Sequence, residues 1–214
     1  MDTEHHTPSL THLRAFTNSR TKGRPTHVAQ DRRQVTAPSN DRIFAFAYER
    51  FLTGVVEDIN NDFTSRAMER AVAAAPDRMR QSYRAAAEGM ARLLSELETQ
   101  AARRRQRNVV VVDADGLELV SLRIHLIVSM RDGSRIGALL YFSEKALTPT
   151  ELMLMDTAVA LAVRQIDAET IPAIIMVRTG TIHLIEVGAA TEPDRVRFLR
   201  AESLAYRSEW AASA

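Results

Sequence analysis

The sequence contains no cysteine, and only two of its 28 basic residues are lysines. The lack of cysteine excludes disulfide scaffolds, cysteine-ligated zinc, iron–sulfur clusters and thiol catalysis. It also fits a reducing compartment, so we expect a cytoplasmic protein. No run of about 18 apolar residues occurs, which argues against a membrane span. Residues 1–25 carry no apolar segment of the kind found in secretory signals.

The formal net charge of +1 gives the chain no global field that would attract nucleic acid or a membrane, so any such attraction must be local. With 45% hydrophobic and 26% charged residues, the composition is that of an ordinary globular protein. The preference for arginine over lysine has two interpretations. We favour a coding bias, and the alternative is a set of bidentate contacts to phosphates or carboxylates.

Composition divides the chain into three regions. Residues 1–40 are polar, mildly basic and without apolar periodicity, which predicts a disordered tail. Residues 41–105 show helical periodicity, with Asn40 as the expected N-cap of the first helix and a short second helix before Pro76. Residues 106–214 form the predicted α+β core, and we expect the helix over residues 77–105 to pack with it as one domain.

Two Asp-Gly pairs predict β-hairpins in the second half of the chain. Asp115–Gly116 separates the apolar run 109–112 from residues 117–130, and Asp132–Gly133 separates that run from residues 135–143. Asp-Gly between apolar runs is a strong hairpin signal because both loop residues tolerate positive φ. These runs therefore predict a three-stranded antiparallel meander.

A buried helix is predicted after the meander, because Thr148, Pro149 and Glu151 form a capping box with proline in the first turn. A second hairpin follows over residues 171–187, with a turn at Thr179–Gly180, and a last helix begins near Thr191. The predicted fold class is thus α+β: an antiparallel meander and a second hairpin packed with helices, in the order ααα-βββ-α-ββ-α.

The sequence lacks the usual motifs of catalysis and nucleotide binding. It has no phosphate loop, no Gly-x-Gly-x-x-Gly turn, no HExxH and no Gly-x-Ser-x-Gly elbow. We therefore predict no catalytic residues, no metal site and no cofactor. Local basic charge provides the candidate nucleic-acid-binding residues, which are Arg103, Arg104, Arg105, Arg107, Arg123, Arg131 and Arg135. The structural alternative for the first four is complementation of a helix dipole at its C-terminus.

The stretch from Ser121 to Ser143 resembles the second and third strands of the PD-(D/E)XK nuclease-like fold, whose core order is helix, β-meander, helix, strand. In that family the second strand carries an Asp and the third an acidic-x-Lys, which together hold Mg²⁺ and the attacking water. Here the Asp position falls at His125, and a two-residue turn would place His125 opposite Leu140, beside Ala138. These three side chains cannot replace the carboxylates. The resemblance therefore implies an inactive relative that is retained for binding.

The element order is also similar to that of type III secretion chaperones, which bind protein segments as dimers. We accordingly favour a non-catalytic binding or assembly module that contacts nucleic acid and no membrane. One alternative is a protein-interaction subunit or a chaperone-like homo-oligomer. Another is a hydrolase with relocated carboxylates, for which Glu49, Asp58 and Asp156 are the candidates, with a helix-surface charge as the simpler interpretation of Asp156.

Overall fold

The computed structural model describes residues 6–19, 23–36 and 48–213. The helices in these ranges are α1 (Leu10–Asn18), α2 (Arg24–Thr36), α3 (Glu49–Asn60), α4 (Ala67–Ala73), α5 (Asp77–Glu96), α6 (Pro149–Ile166), α7 (Val187–Ala190) and α8 (Pro193–Ala212). The strands are β1 (Thr99–Arg104), β2 (Val109–Val112), β3 (Glu118–Leu122), β4 (Leu126–Met130), β5 (Arg135–Tyr141), β6 (Ile171–Met176) and β7 (Thr181–Leu184).

The strands form two sheets. The larger sheet has the order β1-β4-β5-β6-β7, in which only β5 and β6 run parallel. This parallel pair is joined by α6, as a crossover connection requires. The antiparallel pair of β2 and β3 forms a separate two-stranded sheet. The fold is α+β, as the sequence predicts.

A hydrophobic core lies on each face of the five-stranded sheet, so the molecule has three layers. One core joins α3, α4 and α5 to side chains such as Leu126 and Leu140. The other joins α1, α2, α6, α8 and the β2–β3 hairpin to the opposite sheet face, which carries Ile127 and Leu139. Alternate residues along a strand point to opposite faces, which explains why Leu139 and Leu140 belong to different cores.

The helix α6 has the predicted capping box. The Thr148 hydroxyl accepts a hydrogen bond from the Glu151 amide over 3.2 Å, and the Glu151 carboxylate accepts one from the Thr148 amide over 2.8 Å. Most of its residues are buried between the sheet and α1 and α8. The prediction of a capped, deeply buried helix is confirmed.

The N-terminal segment differs from the predicted disordered tail. Helices α1 and α2 form within it, and α1 buries Leu10, Leu13 and Phe16 in the core shared with α8. Ser9 caps α1 by accepting a hydrogen bond from the His12 amide over 3.2 Å. The prediction is therefore wrong for residues 6–19 and 23–36. The expected N-cap, Asn40, lies outside the described residues.

Polar contacts also fasten the two N-terminal helices to α8. The Tyr206 hydroxyl donates a 3.0 Å hydrogen bond to the Asp31 carboxylate, and Thr17 donates a 2.9 Å hydrogen bond to Glu202. Arg24 forms an ion pair with Glu202 at 2.6 Å. Burial and the Asp31 carboxylate raise the pKa of Tyr206, so this phenol remains a donor.

The long helix predicted over residues 77–105 ends at Glu96, and residues Thr99–Arg104 form strand β1 instead. Pairing with β4 and packing of Ala102 into the core outweigh the helix propensity of Ala and Arg. The side-chain amide of Asn60 on α3 bonds both the N–H and the C=O of Ala102. The arginines at 103–105 therefore do not complement a helix dipole.

The predicted meander is divided between the two sheets. Its central run is interrupted at residues 123–125, so β3 pairs with β2 while β4 pairs with β1 and β5. The β4–β5 loop has three residues rather than two, because the Met130 amide donates to the Ser134 carbonyl and Gly133 has a φ of 88°. Leu126 consequently opposes Ala138, and the predicted register of His125 opposite Leu140 is wrong by one residue.

The last two predicted elements are present. Strands β6 and β7 form the second hairpin, with Gly180 at a φ of 67° in the turn. The final helix, predicted to begin near Thr191, begins at Pro193 without a side-chain cap and buries Leu199, Ser203, Tyr206 and Trp210. Among the described residues, no helix is long and apolar enough to cross a membrane. The proposed domain boundaries stay a prediction.

Candidate functional site

A cavity of about 450 Å³ lies where β5 ends and β4 begins, between α1 and the start of α3. Ligand sites commonly have volumes of about 300 to 1,000 Å³, so this cavity is large enough for a small molecule. The lining residues combine apolar and hydrogen-bonding side chains. They are Ser9, Leu10, Thr11, Arg14, Tyr48, Glu49, Leu52, Asn108, Ser121, Leu122, Arg123, His125, Leu139, Leu140, Tyr141, Phe142, Ser143 and Met155.

Stacked aromatic rings form the wall of the cavity on the α3 side. The rings of Tyr48 and Phe142 are nearly parallel, with centroids 3.9 Å apart. Tyr83 also stacks with Tyr48, with ring centroids 5.5 Å apart, and Phe51 meets Phe142 edge-on at 6.1 Å. Packed aromatic rings lose little conformational freedom when a ligand binds, so this wall is preorganised.

Glu49 joins two guanidinium groups at the cavity rim. Its carboxylate accepts hydrogen bonds from Arg104 on β1 and from Arg123 in the β3–β4 connection. Arg104 also donates to the Thr53 hydroxyl over 2.5 Å, and Arg123 donates to the Gln106 carbonyl over 2.9 Å. The carboxylate therefore serves as counter-ion to both guanidiniums and links α3 to β1 and to the β3–β4 connection.

His125 lies at the base of the cavity and is tied to β5. Its Nδ1 accepts a 2.9 Å hydrogen bond from the Leu140 amide, and its own amide donates a 2.9 Å hydrogen bond to the Ala138 carbonyl. Burial, followed by the charges of Arg123 and Arg104, lowers the pKa of His125 to about 4. The imidazole is therefore neutral near pH 7 with its proton on Nε2, because Nδ1 must accept from the peptide.

Arg14 on α1 brings a further cation to the opposite wall. Its guanidinium lies 5.1 Å from the Tyr141 ring centroid, and its Nε is 3.9 Å from the Glu151 carboxylate. The Tyr141 hydroxyl donates a 2.7 Å hydrogen bond to the Lys145 carbonyl, which fixes the ring. At 3.9 Å the ion pair is long, so Arg14 retains capacity to donate to a ligand.

The seven arginines predicted to contact nucleic acid differ in their pairing and exposure. Arg104 and Arg123 are paired with Glu49, and Arg135 is paired with Asp167 at 2.8 Å. Arg103, Arg107 and Arg131 are exposed, while Arg105 is partly buried. Of the seven, Arg123 lines the cavity and Arg104 shares its Glu49 partner, whereas Arg103, Arg107, Arg131 and Arg135 are exposed.

The two aliphatic residues at the degenerate nuclease-like positions, Ala138 and Leu140, are buried on β5, and His125 lies beside them. Among the described residues, no group of three or more His, Asp or Glu side chains could hold a metal ion. The described residues that line the cavity here can donate hydrogen bonds, and Glu49 is the one carboxylate among them.

The other carboxylates considered for hydrolysis have structural partners. Asp58 accepts hydrogen bonds from the Ser65 hydroxyl and from the amides of Ala67 and Met68, so it caps α4. Asp156 is 8% exposed, and its carboxylate lies 3.0 Å from His183 Nε2 on β7. The interpretation of Asp156 as a surface charge is therefore wrong. Glu49, Asp58 and Asp156 belong to three separate clusters.

Sequence reasoning did not find Arg14, Tyr48 or Tyr141 as site residues. Arg14 lies in the segment expected to be disordered, although Leu10, Leu13 and Thr17 already have helical spacing there. Tyr48 falls within the helical periodicity of residues 41–105, which marks it as a helix residue and not as part of a site. No local signal places either residue beside β5, because both contacts depend on how distant segments fold together.

No known family model matches this sequence, and no curated protein matches it significantly.

Proposed function

We propose that this protein is a non-catalytic binding module and that its ligand occupies the cavity between α1, α3 and β5. One observation carries the proposal: a partly enclosed space of about 450 Å³ combines rigid aromatic walls with side chains that donate hydrogen bonds. The described lining residues that could act as a base are already engaged. Glu49 is held by two guanidiniums, and Nδ1 of His125 is occupied by a peptide amide.

The predicted likeness to an inactive nuclease stays a prediction. In chain order, α5 and β1 are followed by the separate β2–β3 hairpin and then by β4, β5, α6 and β6. Apart from that hairpin, the order is helix, three antiparallel strands, helix and parallel strand, which supports the likeness. The aliphatic side chains at Ala138 and Leu140 support a role in binding rather than hydrolysis, because they cannot ligate Mg²⁺.

Titration with the fluorescent anion 1-anilinonaphthalene-8-sulfonate tests the proposed cavity. Thr11 is exposed and lines the cavity from α1, so Thr11→Trp is expected to narrow it without disturbing the core. Asn18→Trp is the matched control, because Asn18 is an exposed residue of the same helix that does not line the cavity.

We expect the dye to bind the wild type and Asn18→Trp alike and to bind Thr11→Trp several-fold more weakly. Equal binding to all three proteins, or binding to none, would contradict the proposal. Circular dichroism must show that the three proteins have the same fold before the comparison is made.

A second candidate function is contact with nucleic acid, which the exposed cations favour. Arg103, Arg107 and Arg131 are exposed and form no ion pair with a described carboxylate. Each phosphate that they neutralise would contribute a log–log salt slope of about −0.9 on duplex DNA. Fluorescence anisotropy of a labelled 20-base-pair duplex measures how much protein is bound. We expect the affinity for the duplex to fall steeply between 50 and 200 mM salt.

The matched variants for this experiment carry equal net charge. Replacing Arg103, Arg107 and Arg131 by Gln should reduce the salt slope, whereas replacing Arg66, Arg84 and Arg164, which are exposed elsewhere, should not. If the duplex does not bind at 50 mM salt, nucleic-acid contact is ruled out as a function.

The predicted protein partner or homo-oligomer stays a prediction that light scattering of the purified chain can test.

A further inference from the structure

We propose that the cavity selects a small amphipathic monocarboxylate, whose carboxylate meets Arg14, Arg123 and the Nε2–H of His125 and whose apolar body packs on the walls. The inference rests on the proposed binding function and adds the chemical class of the ligand. It follows from the charge of the described lining residues, the donor character of their free hydrogen-bonding groups and the nature of the walls.

Among its described lining residues, the cavity has one positive charge in excess. Arg14 and Arg123 line it with a single described carboxylate, that of Glu49. Adding the nearest partners of these groups, which are Arg104 and Glu151, gives three guanidiniums and two carboxylates, so the excess remains one. A charge in a partly enclosed site is costly unless it is compensated, so a ligand with one negative charge is favoured.

The hydrogen-bonding groups are arranged to donate. His125 is neutral and accepts at Nδ1 from β5, so its remaining ring nitrogen carries a hydrogen. Arg14 and Arg123 can only donate, and neither guanidinium is saturated by the contacts that it makes. A carboxylate is an acceptor with two oxygens, and it matches several donors that line one cavity better than an amine or an amide does.

The remaining walls require an apolar body on the ligand. Leu10 and Met155 lie on the α1 and α6 side, and Leu52 and Phe142 lie on the α3 side. Inorganic phosphate or acetate would leave these surfaces wet. A hydrocarbon chain or ring would bury apolar area at roughly 25 cal/mol for each Å² removed from water.

A single excess positive charge should also favour binding of a monoanion over binding of a dianion. A neutral histidine supplies a hydrogen bond but no second positive charge, so a phosphate monoester would bring one uncompensated negative charge into the site. Free carboxylates are thus expected to bind better than phosphate monoesters with the same apolar body. A headgroup of higher charge should bind more weakly still.

Isothermal titration calorimetry at pH 8 with octanoate, octanamide and octyl phosphate distinguishes the contribution of the headgroup charge from that of the apolar chain. The three probes share an apolar chain, and the phosphate is dianionic because its second pKa is about 6. Charged hydrogen bonds are roughly twice as strong as neutral ones, so we expect octanoate to bind at least about tenfold more tightly than octanamide. Octyl phosphate should also bind more weakly than octanoate.

Variants identify the donors. Arg14→Gln and Arg123→Gln are each expected to lower octanoate affinity to the octanamide level while leaving octanamide affinity unchanged. Arg123→Gln removes an ion pair with Glu49 and could disturb folding. Arg14→Gln then still tests the proposal, because the contact of Arg14 with Glu151 is long and its loss should cost little stability. The matched control is Arg78→Gln, an exposed arginine of α5 that should bind octanoate like the wild type.

The outcomes distinguish this inference from the proposed function. Octanamide or octyl phosphate binding as tightly as octanoate would overturn the monocarboxylate and leave the binding cavity in place. The same holds if none of the three binds while the fluorescent dye still distinguishes Thr11→Trp from Asn18→Trp. If none of the three probes binds and the dye does not distinguish Thr11→Trp from Asn18→Trp, both the binding cavity and the monocarboxylate ligand are overturned.

Discussion

The backbone amide of Leu140 donates a 2.9 Å hydrogen bond to Nδ1 of His125. This contact holds the ring of a neutral histidine at the base of the cavity and decides which nitrogen carries the proton. Burial beside Arg123 and Arg104 lowers its pKa from 6.5 to about 4. The folded protein therefore resists the protonation that the unfolded chain accepts.

The first prediction is an acid-dependent loss of stability from this histidine. Between pH 6.5 and about 4 the unfolded chain binds a proton at residue 125 that the folded chain does not, so stability falls as the pH falls. The full effect is about 3 kcal/mol and is reached near pH 4. Urea unfolding of the wild type and His125→Asn across this range measures it, because Asn keeps an acceptor for the Leu140 amide but does not titrate.

His27→Asn is the control for this experiment, since His27 lies on α2 away from the cavity and should leave the acid-dependent loss in place. If His125→Asn loses stability with falling pH as steeply as the wild type, the histidine is not the source. Nitrogen-15 spectra of the ring at pH 7 give a direct check, and a doubly protonated imidazole would refute the assigned tautomer.

The second prediction compares two glutamates of α3 that both pair with arginine. Glu49 is 26% exposed and serves Arg104 and Arg123, whereas Glu57 is 43% exposed and pairs with Arg70 alone. Glu49→Gln leaves two partly buried cations close together, and we expect a loss of about 1 to 3 kcal/mol. Glu57→Gln should cost less than about 1 kcal/mol, because exposed ion pairs contribute little.

Urea unfolding at low and high salt measures both variants. Glu49→Gln should also show a larger gain in stability with salt than the wild type, since salt screens the repulsion between the two guanidiniums. Equal losses for the two variants would mean that Glu49 is merely a surface residue.

Local signals predicted the elements whose cause is local. The capping box at Thr148 and Glu151 determines where α6 begins, and Gly180 supplies the positive φ of the second hairpin. Both features depend on residues within one turn, so no knowledge of the rest of the fold is needed. The fold class followed because several such elements were assigned together.

Elements that depend on distant partners were not predicted. Residues Thr99–Arg104 have good helix formers but become β1 because β4 offers an open edge and Ala102 enters the core. One extra residue in the loop at Gly133 then shifts the register of His125. The pairing of Glu49 with Arg123, 74 residues away, has no sequence signature, so the site could be recognised only in part.

The third prediction concerns the buried cap of α4. Asp58 is 3% exposed and accepts hydrogen bonds from the Ser65 hydroxyl over 2.5 Å and from the amides of Ala67 and Met68 over 2.6 and 2.8 Å. Asp58→Ala leaves these donors buried without partners, and we expect a loss of about 2 to 3 kcal/mol. Urea unfolding measures the loss.

The control for the cap is Asp77→Ala, which removes an acidic residue from the exposed first turn of α5. A charge near an exposed helix N-terminus contributes about 0.3 to 1 kcal/mol, so the control should cost clearly less than Asp58→Ala. If the two variants lose the same stability, the hydrogen bonds of Asp58 add nothing beyond its charge.

The fourth prediction concerns a close approach between α5 and the second hairpin. A Cβ atom added to Gly89 would lie 2.0 Å from the Val177 carbonyl oxygen and 2.8 Å from that of Arg178. Helix propensity alone favours Ala over Gly by about 1 kcal/mol. Both obstructing atoms are backbone, however, so the helix or the hairpin must move, and overpacking of this kind costs about 1 to 3 kcal/mol or more.

We therefore expect Gly89→Ala to be destabilising by at least about 1 kcal/mol in thermal or urea unfolding, against the sign that propensity predicts. Glu88→Ala, at the adjacent exposed position of α5, should change stability by less than about 0.5 kcal/mol. The turn at Gly180 is held against the same glycine, since a Cβ there would lie 2.4 Å from the Gly89 carbonyl oxygen. A stabilised Gly89→Ala would mean that the helix and the hairpin are farther apart than the structure indicates.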